Sequence, residues 1–66
     1  MQCKVTIDCG NAAFDGENLP YELAIILKKL ASRFPVLGAE NIRYGDSIYL
    51  LDSNGNKVGK CEFIPD

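Results

Sequence analysis

The sequence predicts one α+β domain, a single helix packed on a three-stranded, mainly antiparallel sheet, with elements in the order β-α-β-β. Three observations carry this expectation. Residues 3–9 alternate apolar and polar, Leu23 to Phe34 repeat at spacings of three and four, and an Asn54-Gly55 turn separates two further extended runs. A chain of 66 residues holds one core only, so the domain is residues 1–66.

The first strand follows from Cys3, Val5, Ile7 and Cys9, which fall on one face, against Lys4, Thr6 and Asp8 on the other. That is the pattern of a half-buried strand with its odd residues on the core. Gly10-Asn11 ends it. The connection over residues 11–18 is small and polar apart from Phe14, the one anchor large enough to plug the edge of a core.

Asn18 is a candidate N-cap, and Pro20 suits a first helical turn, where its missing N–H costs nothing. Leu23, Ile26, Leu27, Leu30 and Phe34 then form the buried stripe of a helix expected from about Leu19 to Arg33. Lys28, Lys29 and Arg33 favour its C-terminal half through the helix dipole. Pro35 and Gly38 are expected to stop it.

Residues 38–46 read as a loop with a short extended piece at Ile42–Tyr44. Two strands, Ser47 to Asp52 and Lys57 to Ile64, flank Ser53-Asn54-Gly55-Asn56, where Asn-Gly supplies the positive φ a tight hairpin needs. Gly59, Cys61 and Phe63 belong on the core, Lys60 and Glu62 in water, and Val58 breaks the alternation as a bulge does. The first strand is expected antiparallel beside the last, leaving the far sheet face to solvent or a partner.

Composition narrows the function classes. At 47% apolar and 24% charged residues the chain is a globule and not a disordered tail. No apolar run approaches the ~18–20 residues of a membrane span, and no basic-then-apolar leader is visible, so a cytoplasmic protein is expected. Cys3, Cys9 and Cys61 make an odd set for a disulfide framework. Cys3 and Cys9 lie roughly 20 Å apart on one strand, and Cys61 is placed to face either across strands. All three are read as small buried apolar side chains.

Catalytic and metal chemistry find no footing. There is no histidine, hence neither the commonest general base nor a ligand to complete a zinc set, and no CxxC pair. The three serines lie beside no base in sequence, and no glycine-rich phosphate loop or nucleophile elbow occurs. The segment from Asp52 lacks the glycine and glutamate positions of a calcium loop. A non-enzyme with no cofactor and no metal is expected. Lys28, Lys29 and Arg33 form a basic patch, but a sequence pI of about 4.9 argues for a solvated helix face and against direct nucleic-acid binding.

Two surface features remain as candidates for partner binding. Residues 8–22 carry Asp8, Asp15, Glu17 and Glu22 with no Lys or Arg, whereas residues 23–33 carry only the three cations. The segment either solubilises the protein or docks on a basic groove such as one that holds nucleic acid. Tyr21 and Ile25 lie one turn apart on the helix, away from the Leu23–Phe34 stripe. They are either a contact surface, since tyrosine is enriched in hot spots, or lie under the segments 10–18 or 35–44. The partner-binding set is therefore Asp15, Glu17, Tyr21, Glu22 and Ile25, with Tyr44 and Tyr49 placed to extend an exposed aromatic set on the open sheet face.

The segments Asp8-Cys9-Gly10-Asn11-Ala12-Ala13-Phe14 and Leu51-Asp52-Ser53-Asn54-Gly55-Asn56-Lys57-Val58-Gly59, with Glu22-Leu23-Ala24 and Ile26-Leu27 before Leu30-Ala31 between them, resemble short phage and prophage reading frames. The likeness covers most of the chain; Pro20-Tyr21 and the longer Pro35–Asp46 connection depart from the common pattern. It implies a small acidic phage protein that binds a host machine. The expected function is an anti-CRISPR-like inhibitor of a Cas effector complex, blocking nucleic-acid access or a conformational step. The alternative is a phage structural or housekeeping accessory that self-associates through an exposed sheet edge. A monomer is expected, with a dimer as the other possibility.

Overall fold

The alternation at the N-terminus becomes β1 (Gln2–Ile7), and the two extended runs become β2 (Ser47–Leu51) and β3 (Lys57–Ile64). A computed structural model, describing residues 1–38, 42–43 and 45–66, joins them as an antiparallel sheet in the order β1-β3-β2. The helix α1 (Asn18–Leu37) covers one face. The expected β-α-β-β order and the placing of the first strand beside the last are both observed.

The centre of the core is β3, where Cys61 is fully buried and Val58 and Phe63 nearly so. Ile48 and Leu50 join them from β2, Ile26 and Leu30 from α1. Phe34 meets Phe63 edge to face, with ring centroids 6.3 Å apart. Phe14, carried on a short 3-10 turn over Ala12–Phe14, closes one edge as expected. The bulge expected at Val58 is real: the register shifts between Leu50 and Leu51, pairing them with Gly59 and Lys57 and leaving Val58 as the extra residue.

The helix differs from the expectation at both ends. It runs to Leu37 and holds Pro35 inside its last turn. Pro35 is exposed, so the Ala31 carbonyl deprived of its N–H partner lies on the wet side, where water replaces the lost bond. Gly38 (φ 75°) ends the helix and donates its N–H to the Phe34 carbonyl. At the start Asn18 is already helical and Glu17 holds the cap position without a side-chain bond. The preceding turn does that work: Asn18 N–H donates to Asp15 O at 3.0 Å and Leu19 N–H to Gly16 O at 3.4 Å.

The burial expected for β1 is corrected. Cys3 and Cys9 are exposed, Val5 is 40% exposed, and Cys9 lies beyond the strand end. Of the three cysteines, only Cys61 is interior. The cause is the position of α1, which apart from the 3-10 turn leans on β2 more than on the other strands, Arg33 Nη1 donating to the Tyr49 carbonyl at 3.4 Å. A helix displaced to that side leaves the β1 end of the core face unroofed, and Leu27, assigned to the stripe, is accordingly 45% exposed. Ile42 packs against the core as a half-buried residue without regular structure. Tyr44, and with it the end of the expected Ile42–Tyr44 piece, lies outside the described residues.

Candidate interaction surface

The hairpin end is tied to the helix by the carboxylates Glu22 and Asp52, the buried charged groups among the described residues. Asp52 follows β2 directly, and its N–H donates to the Asn56 carbonyl at 2.9 Å. Its Oδ1 accepts from the Asn54 and Asn56 N–H groups at 2.9 and 2.8 Å, and its Oδ2 from the Asn11 and Asn56 side-chain amides at 2.8 and 3.3 Å. Burial alone raises such a carboxyl's pKa; the donors of Asn56, Asn11 and Asn54 outweigh it and hold Asp52 below its ordinary value. Asn11 also caps the 3-10 turn, its Oδ1 accepting the Ala13 N–H at 2.9 Å.

One helical turn in, Glu22 is buried and accepts from Ser53 twice, from N–H at 2.6 Å and from Oγ at 3.1 Å. Together Asn11, Glu22, Asp52 and Ser53 knit three separate segments. Among the described residues every buried side-chain nitrogen and oxygen has a partner, and no three His, Cys, Asp or Glu side chains group as metal ligands. This knot has its acceptor sites filled by the protein itself. Its role is structural.

The expected partner-binding set divides accordingly. Glu22 belongs to the knot and presents no carboxylate to a partner. Asp15, Glu17, Tyr21 and Ile25 are exposed, Tyr21 at 71% and Ile25 at 42%. Neither the 10–18 segment nor the described part of 35–44 folds over these two. Val36, 87% exposed, lies further along the same side of α1, since positions 21, 25, 32 and 36 share one helical flank. Sequence reasoning missed Val36 because the helix was expected to end before it.

The open sheet face carries Lys4 and Thr6 from β1, Ser47 and Tyr49 from β2, and Lys60 and Glu62 from β3. Here the charges are internally matched. Lys57 Nζ stands 3.7 Å from the centre of the Tyr49 ring, and Lys60 pairs with Glu62 at 3.3 Å. The Tyr49 ring is thereby capped by a cation and not bare.

On the core face, the Cys3 and Cys61 thiols touch at 3.3 Å. Burial, followed by the hydrogen bond and charge of Cys3 and the charge of Glu62, pushes the Cys61 thiol up to about 11. A thiol so held is protonated and unreactive at neutral pH.

These features define a small α+β protein with a self-satisfied polar knot and exposed apolar groups along one helix flank. No helix of the described residues is long and apolar enough to cross a membrane. The chain matches no protein-family model, no curated protein and no solved structure.

Proposed function

We propose that the chain is a phage-encoded, non-catalytic binding protein, an anti-CRISPR-like inhibitor that docks on a host Cas effector complex and blocks nucleic-acid access or a conformational step. The observation that carries the reading is the exposure of Tyr21 and Ile25 on α1, beside the exposed acids Asp15 and Glu17. An aromatic anchor bordered by negative charge suits a basic, nucleic-acid-binding groove, the aromatic supplying affinity and the charge steering approach. The phage origin rests on the sequence segments that resemble phage and prophage reading frames.

Co-purification with Cas effector subunits, followed by nucleic-acid binding by the captured effector, tests the reading. Failure to associate with effectors from any plausible host sinks it. In a complex, Tyr21→Ala combined with Ile25→Ala lowers affinity on the order of 30-fold or more, the scale of a hot-spot loss. Asp15→Lys with Glu17→Lys weakens association and flattens its salt dependence. A second reading, an accessory protein acting by self-association, is favoured by the bare outer edge of β1.

A further inference from the structure

The two edges of the sheet are treated differently. The β2 edge is five residues long, loses its register with β3 at Leu50/Leu51, and has Arg33 bonded to the Tyr49 carbonyl. Those are devices by which proteins keep an edge from pairing with another chain. β1 has no register break; its outer backbone carries only the long contact of the Cys9 thiol to the Ile7 carbonyl at 3.9 Å, and Lys4 is its one charge. The strand is six residues long, pairs with β3 in unbroken register from Gln2 to Ile7, and contains no proline.

The direction of its free backbone groups is fixed by the neighbouring ladders. Phe63 exchanges hydrogen bonds with the β2 side, its N–H donating to Asp46 O at 3.1 Å and its carbonyl accepting from Gly45 N–H at 2.8 Å. On the other side of β3, Asp8 N–H donates to the Val58 carbonyl at 2.7 Å. Even-numbered residues of β1 therefore bond inward to β3, and the N–H and C=O groups of Cys3, Val5 and Ile7 point out from the sheet. The side chains of the same three residues lie on the core face. Cys3 is exposed, Val5 is 40% exposed and Ile7 half-buried. Leu27, 45% exposed, lies across the buried Leu30 line from Arg33 and so on the flank of α1 toward β1. The same side of the molecule thus has uncovered apolar surface and outward backbone groups with no strand partner, the Ile7 carbonyl alone receiving a long contact from the Cys9 thiol at 3.9 Å.

We infer that a second copy of this chain pairs with β1 antiparallel, Val5 opposite Val5 about a twofold axis, making one continuous six-stranded sheet. The occupant and the register follow from the sequence of the strand. With Val5 on the axis, Cys3 meets Ile7 on the core face, while Lys4 meets Thr6 and Gln2 meets Asp8 on the outer face. Apolar faces apolar, and the acid of each copy comes beside the lysine of the other. Moving the axis to Lys4 sets two lysines in direct opposition, which is destabilising. Slipping by one residue sets apolar against polar at every rung. The Val5-centred pairing also uses the outward-pointing groups of Cys3, Val5 and Ile7, forming about six backbone hydrogen bonds. A C2 interface must be self-complementary; an axis at Thr6 also matches the faces, setting Val5 against Ile7 and Lys4 against Asp8, but within β1 it engages only Val5 and Ile7 and forms about four backbone bonds, so the Val5 axis is the register that uses the whole strand. The inference gives the self-association reading its surface and leaves the Tyr21 flank free for another partner.

Sedimentation of the purified chain from about 1 µM to about 1 mM, the span of weak dimer affinities, is expected to show a reversible monomer–dimer equilibrium. Amide hydrogen exchange at the two ends of that range reads the surface directly. Protection at Cys3, Val5 and Ile7 rises at least tenfold in the dimer, whereas Lys4 and Thr6 are protected throughout. Val5→Pro removes only an outward N–H, and Val5→Lys keeps the backbone while charging the contact. Both are expected to stay monomeric over the whole range, and Val5→Lys carries the test if the proline variant does not fold. A chain monomeric at about 1 mM overturns both the inference and the self-association reading. A dimer unaffected by Val5→Lys, with Cys3, Val5 and Ile7 exchanging freely, overturns the β1 interface and leaves self-association standing on another surface.

Discussion

Gly59→Ala is expected to be the most damaging single-methyl change in this protein. Gly59 lies in the central strand opposite Ile7 on one side and Leu50 on the other. A Cβ there would stand 1.9 Å from the Thr6 carbonyl oxygen, 2.9 Å from its carbon and 3.0 Å from Ile7 Cα. All three are backbone atoms, so no rotamer change relieves the clash, and β1 must withdraw by about 1.5 Å to reach ordinary contact. Overpacking costs about 1–3 kcal/mol, and each ladder hydrogen bond lost as β1 withdraws adds about 1 kcal/mol. A total of about 3 kcal/mol lowers the melting temperature of a domain this small by on the order of 15 °C. Gly55→Ala is the control. It has a positive φ of 85° but nothing within 4 Å of its Cβ, so it costs only about 1 kcal/mol, the strain of a left-handed alanine. Thermal unfolding followed by circular dichroism ranks the two. A Gly59→Ala protein melting within about 2 °C of the parent, or above Gly55→Ala, refutes the reasoning.

Three further outcomes are expected. Glu22→Ala removes a buried carboxylate and its two hydrogen bonds from exposed Ser53 and should cost about 2 kcal/mol in urea unfolding; a change under about 0.5 kcal/mol, the size of a surface effect, means the knot carries no stability. Asp52 is held below its ordinary value, so its contribution to folding is present above the unfolded carboxyl pKa and lost as pH falls through the lower folded value. The stability gap between the parent and Asp52→Asn is therefore widest near neutrality and closes in acid; a gap constant with pH contradicts this. Finally, a thiol reagent at neutral pH should label exposed Cys3 and Cys9 quickly and Cys61 only on unfolding, as burial and a pKa near 11 require. Rapid labelling at Cys61, read by peptide mass, would count against that burial.

The architecture was legible because periodicity reports which residues share a face, and here each period was clean. What periodicity does not report is whether the face is covered. Cys3 and Val5 alternate correctly yet stand exposed, since cover depends on where α1 settles, and α1 packs on the 3-10 turn and the β2 side of the core. Pro35 misled for a related reason. Its penalty assumes a carbonyl with no other partner, and on a wet flank in the last turn water is that partner. Glu22 was read as surface charge because its hydrogen-bond partner, Ser53, is 31 positions away, beyond any local pattern. Tyr21 and Ile25 were legible because the helical wheel already placed them opposite a strong stripe. Asn54-Gly55 advertised the turn correctly, but Asp52 organises that loop, and nothing local marks an aspartate at a strand end as buried.

The stabilising knot and the proposed binding surfaces thereby fall on different residues. One end of the molecule is closed by a knot whose acceptors are saturated by Asn11, Ser53, Asn54 and Asn56, so adding a ligand there would require breaking bonds already made. The β1 side is the converse, with exposed Cys3 and Val5 on the core face and outward backbone groups that no neighbouring strand pairs. In a chain this small, burying only about 60% of its unfolded surface, an uncovered edge weighs heavily against marginal stability. Pairing that edge covers the exposed part of Val5 and satisfies the outward backbone groups without disturbing the knot. Such an edge is therefore a place where association would stabilise the fold itself, whereas association through Tyr21 and Ile25 would draw on surface the fold does not use.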